Sequence, residues 1–83
     1  MSGYEIIHAG RESAEPFSNY LYEISCNGRV LAELSHDYRR DEHWMRLPGG
    51  QWTTISGRIL EGGGPQPLTF LSDGVDALER MIG

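Results

Sequence analysis

The densest concentration of groups able to do chemistry is the run Ser35-His36-Asp37-Tyr38-Arg39-Arg40-Asp41-Glu42-His43-Trp44, which holds two of the chain's three histidines. A metal reading takes His36 and His43 as imidazole ligands, with Asp41 or its neighbours Asp37 and Glu42 as carboxylates. A loop between the histidines could fold both rings to one side. Two features oppose it. The spacing matches no familiar ligand pattern, and Arg39 and Arg40 put positive charge where the cation would sit. The favoured reading is a solvated, charge-alternating turn that ends two strands. The expectation is therefore no metal and no cofactor, with His36, His43 and Asp41 as the ligand set of the alternative.

Other constellations fail on physical grounds. Ser35-His36-Asp37 names the residues of a hydrolytic triad, but adjacent residues on a strand point to opposite faces and cannot form the hydrogen-bonded chain. A zinc-protease helix needs histidines at i and i+4, which the Asp41-Glu42-His43-Trp44 sequence lacks. All seven cations are arginine, so Schiff-base and lysine general-base chemistry are excluded, as is a phosphate loop ending in Gly-Lys-Ser/Thr. Gly62-Gly63-Gly64 offers bare amides to an anion, but Glu61 adds like charge, two prolines follow, and no helix does; a flexible loop is expected. Cys26, at a hairpin tip, reads as an incidental thiol. No catalytic residue is assigned.

Trp44 and Trp52 flank a Pro48-Gly49-Gly50 turn and could meet across a hairpin. Core positions are expected for each, because a small domain is short of large apolar groups and an aromatic side chain buries about 150–250 Å². At least one should stay partly exposed. With Arg46 between them and Arg39 and Arg40 at the rim, these residues have the Trp, Tyr and Arg composition of a protein-binding patch.

The elements that must position these groups follow from periodicity. Residues 20–34 form two strand-like runs around Asn27-Gly28. A two-residue turn there would pair Ile24 with Leu31 and Tyr22 with Glu33, mixing apolar and charged groups on both faces. A three-residue loop with Gly28 left-handed pairs Ile24 with Val30, Tyr22 with Ala32 and Tyr20 with Leu34. Because a one-residue slip reverses every side chain, the second register is expected. Residues 4–9 read as a first strand ended by Gly10, residues 11–18 as a connection, and residues 51–60 as strand-like with Gly57 as a possible bulge. Residues 68–71 read as a last short strand. Asp73 is placed to cap a helix carrying Val75, Leu78 and Ile82 on one face, with Ala77 and Met81 beside them. A helix of about ten residues is marginal alone in water, so it must dock on the sheet. The expected fold is α+β: an antiparallel meander of five to six strands, curled or half-barrel, with one C-terminal helix packed on it.

Length and composition bound the function. Residues 1–83 suffice for one small domain, with 39% hydrophobic residues. The net charge of −5 argues against a nucleic-acid surface, which needs a basic patch. No apolar run is long enough to span a membrane, and no secretory signal is visible at the first residues. One cysteine forms no internal disulfide, so a cytoplasmic location is expected. The reading is a small non-catalytic module that binds a partner protein or itself through a sheet edge and the surface of Trp44, Arg46, Trp52, Arg39 and Arg40. Its alternative is the metal-binding domain built on His36 and His43.

Overall fold

The structure is a computed structural model that describes residues 3–62 and 68–83. Strands β1 (Tyr4–Arg11), β2 (Tyr20–Cys26), β3 (Arg29–Asp37), β4 (Glu42–Arg46) and β5 (Thr53–Ile55) form one antiparallel five-stranded sheet in sequence order. Strands β6 (Leu60–Glu61) and β7 (Thr69–Phe70) make a separate two-stranded pair, and helix α1 (Ser72–Ile82) ends the chain. This is the expected α+β meander with a C-terminal helix. The sheet does not close, since β1 and β5 remain its two edges. No helix among the described residues is long and apolar enough to cross a membrane. The Gly63-Gly64 part of the glycine-rich loop lies outside the described residues.

Alternation along the strands assigns one face to the core. Tyr22 and Ile24 of β2, Ala32 and Leu34 of β3 and Met45 of β4 are buried together with Ile59 and the helical Ala77 and Leu78. The register makes this possible in a way that differs from the expected one. Asn27 (φ 53°) and Gly28 (φ 78°) are both left-handed and form a two-residue turn flanked by the pair Cys26 and Arg29. Such a turn needs positive φ at both positions, which Asn and Gly supply at least cost. A bulge then leaves Leu31 unpaired, so Ser25 faces Val30 while Ile24 faces Ala32 and Tyr22 faces Leu34. The expected three-residue loop is thus replaced by a shorter turn and a bulge. The extra residue does the same work one position later, returning the apolar side chains to one face. Val30, expected on that face, is exposed.

Other expectations are corrected by tertiary partners. Gly10 does not end β1; a bulge between His8 and Gly10 lets pairing continue to Arg11. The guanidinium of Arg11 then donates to the carbonyls of Pro16 (3.0 Å) and Ser18 (2.8 Å), tying down the connection to β2. The run 51–60 divides into β5 and β6 rather than making one strand. Leu71, not Asp73, is the N-cap of α1, without a side-chain cap. The Asp73 carboxylate instead accepts the backbone N–H of Arg58 at 2.7 Å, latching the segment before β6 to the first helical turn. The buried face of α1 is Gly74, Ala77 and Leu78, with Met81 partly buried, and Ile82 is 46% exposed. Glycine at position 74 lets the helix approach the Phe70 ring, which a Cβ would strike.

Candidate functional site

The four residues of β4 from His43 to Arg46 serve both sides of the sheet. Cross-strand partners share a face, so His43 and Met45 lie on the helix-covered side while Trp44 and Arg46 lie on the other. Two candidate sites follow, one on each face.

On the uncovered face Ile7, Glu23, Glu33 and Arg46 make one cross-strand row, and Leu21, Ser35, Trp44 and Thr54 make the next. Arg46 Nε pairs with the Glu33 carboxylate, and its guanidinium lies 4.4 Å from the centroid of the Trp52 ring. Trp44 and Trp52 line a shallow depression with Glu12, Asn19 and Ser35, in which Asn19 Nδ2 donates to Ser35 Oγ at 3.0 Å. Neither tryptophan joins the core: Trp44 is half-buried and Trp52 is 38% exposed. The physical reason is the strand period, because Trp44 alternates with the buried His43 and Met45 and so must face outward. Arg39 and Arg40 sit elsewhere, in the turn between β3 and β4, whereas Arg46 and Trp52 flank the turn at the far end of β4. The Arg39 guanidinium lies over the exposed Phe17 ring at 4.4 Å, and Arg40 Nε is 4.0 Å from the Asp37 carboxylate.

On the covered face, at the end of the core next to the β3–β4 turn, His36 and His43 are direct cross-strand partners. Their rings are stacked, with centroids 4.2 Å apart and planes 2° from parallel. The turn is built by Asp37, whose Oδ1 accepts the backbone N–H of Arg39 at 3.0 Å. It closes on Asp41 in the left-handed region (φ 54°), a conformation that Asp tolerates better than most residues. Asp41 Oδ1 is thereby set 3.0 Å from His36 Nε2. One ligand atom from each of His36, Asp41 and His43 falls within 4.8 Å of the others.

The protonation of this group is decided by burial. His43 is 5% exposed, and its Nε2 is buried with no hydrogen-bond partner among the described residues. Loss of hydration disfavours the imidazolium and, with His36 alongside, pushes the pKa down to about 4, against a smaller opposing pull from Asp41. His43 is a neutral imidazole at physiological pH, with a lone pair or an N–H left unsatisfied.

Sequence reasoning named a partner-binding set of Trp44, Arg46, Trp52, Arg39 and Arg40 and an alternative metal set of His36, His43 and Asp41; the fold brings Trp44, Arg46 and Trp52 together and the metal set together, but puts Arg39 and Arg40 in the β3–β4 turn beside the second set. Sequence reasoning assigned no site role to Glu33, Asn19 and Glu12, and did not place Ser35 beside Trp44. Glu33 had a findable signal: counting outward from the pair Asp37 and Glu42 places it opposite Arg46. Asn19 and Glu12 come from a connection whose path no local pattern sets. Comparison of the chain with protein-family models, with curated proteins and with solved structures gives no match.

Proposed function

We propose that the domain is a non-catalytic interaction module whose uncovered sheet face takes a protein partner, a second copy of this chain in the first instance. The observation that carries the reading is the one-sided cover: α1 packs on the core face, while the opposite face presents Ile7, Leu21, Trp44 and Trp52 around the Glu33 and Arg46 pair. Trp and Arg are the residue types that concentrate binding energy when a partner excludes water from them. The charges on this face also suit self-pairing. A two-fold interface sets residue i of one copy against j of the other and j against i. Arg46 on β4, toward one side of the sheet, and Glu23 on β2, toward the other, would then meet reciprocally. An open sheet whose edges carry no lysine adds a second surface for pairing. The single free thiol of Cys26 suits a reducing compartment, and the reading places the module in the cytoplasm.

Sedimentation velocity over a concentration series tests this. The expected result is a concentration-dependent sedimentation coefficient that Trp52→Ala and Arg46→Glu abolish while the circular dichroism stays unchanged. A chain that remains monomeric up to about millimolar concentration, a regime in which even contacts of about 4 kcal/mol would populate a dimer, overturns the self-association.

A further inference from the structure

We propose that His36, Asp41 and His43 together bind one divalent cation of the zinc class, with a fourth coordination position left to water. The site lies on the face opposite the proposed interaction surface, and the inference is independent of that reading.

Three observations converge on it. The donors are two imidazoles and one carboxylate, a set suited to zinc and its neighbours in the transition series rather than to magnesium or calcium, which prefer oxygen. Their ligand atoms are already gathered within 4.8 Å. Ligands about 2.0–2.1 Å from a tetrahedral cation lie about 3.4 Å from one another, so binding requires the set to contract and the two parallel rings to turn until their lone pairs converge. The third observation is the His43 Nε2 itself, buried and without a hydrogen-bond partner among the described residues. A buried polar atom without a hydrogen bond is destabilising, and coordination would satisfy it.

The objection raised by the sequence does not survive the fold. Arg39 turns to the Phe17 ring and Arg40 toward Asp37, so the two positive charges are engaged with other partners. Asp41, whose side chain is 84% exposed, gives the site an opening to solvent, while the two histidines are anchored on paired strands. Two histidines on paired strands and one exposed carboxylate at an open rim is an arrangement that a cation can enter and that leaves a position for water.

The test is calorimetric titration of the full chain, free of any histidine tag and pretreated with chelator, with Zn²⁺ and separately with Mg²⁺. The expected result is saturable binding of one Zn²⁺ per chain, a raised melting temperature and no comparable response to Mg²⁺. Nitrogen NMR should show shifts at the rings of His36 and His43 and none at His8. Asp41→Asn, a change at an exposed turn that leaves the core intact, should weaken binding at least about tenfold, and His36→Gln should abolish it. Cys26→Ser should bind as the parent chain does. Absence of saturable Zn²⁺ binding overturns the proposal. So does binding that survives both Asp41→Asn and His36→Gln, or that depends on Cys26 or His8, since the cation would then be held elsewhere.

Discussion

The two faces of β4 differ less in what they contain than in how their polar groups are satisfied. On the uncovered side Arg46 is half-exposed, yet it is paired with Glu33 and stacked on Trp52. On the covered side His43 is almost wholly buried, yet its Nε2 has no partner among the described residues. Water explains why the first arrangement is undemanding, because an exposed group that loses its neighbour regains hydration. The second has no such recourse. An imidazole buried on the core face of the sheet, with its neighbours His36 and Asp41 on hand, carries a free-energy penalty that a bound cation would remove. Mutations on the two faces should therefore differ in size and in kind.

The largest effect belongs to the cover itself. Leu78 is fully buried against the sheet, and Leu78→Ala removes apolar contacts that the short helix needs to stay docked. A loss of about 2–5 kcal/mol is expected, a large part of the roughly 5–15 kcal/mol that holds a small domain. Urea denaturation measures it. A loss below about 1 kcal/mol would mean that the helix collapses onto the smaller side chain and that the covered face is less tightly specified than its burial implies.

Much of the cover was legible in the chain, and the exceptions have identifiable causes. Tyr20, Tyr22 and Ile24 alternate on β2, and Ala32 and Leu34 on β3, so their common face follows from period alone. The turn between them does not. A three-residue loop and a two-residue turn followed by a bulge at Leu31 both put Tyr22, Ile24, Ala32 and Leu34 on one face; they differ in the cross-strand partners and in Val30, which the bulge leaves exposed. Asp73 has the right type and place for a helix cap, but the N–H of Arg58, 15 positions earlier, takes its carboxylate. That is a tertiary contact with no local signature. His36, Asp41 and His43 were legible as residue types. Their juxtaposition depends on the register of β3 against β4, and the missing partner of His43 Nε2 depends on three-dimensional packing.

A middle-sized effect separates the buried histidine from the exposed pair by pH. The unfolded chain takes a proton on His43 near pH 6.5, whereas the folded chain holds it off until about pH 4. Between these values the unfolded state binds more protons, so stability falls as pH is lowered. The contribution of this residue between pH 7 and pH 5 is about 2 kcal/mol. It is read by urea denaturation of metal-free protein in chelator, comparing the parent chain with His43→Phe. The variant should lose that part of the acid sensitivity, and identical pH profiles for the two would show that His43 is solvated in solution.

The smallest effect is expected on the uncovered face, where Glu33 and Arg46 form an ion pair between two half-exposed side chains. Solvent screens such a pair and side-chain entropy opposes it, so a double-mutant cycle with Glu33→Gln and Arg46→Met should give a coupling of about 0.2–1 kcal/mol in the monomer. Salt should shrink it further, because the screening length falls to about 3 Å at molar ionic strength. The stack on Trp52 is the part that resists salt, since Arg46 keeps its aliphatic stem against the ring whatever the ionic strength. Repeating the cycle in a Trp52→Ala background separates the contributions. If the coupling instead exceeds about 2 kcal/mol and is insensitive to salt, Glu33 and Arg46 are desolvated in solution, and the face that looks open in the monomer is covered by something.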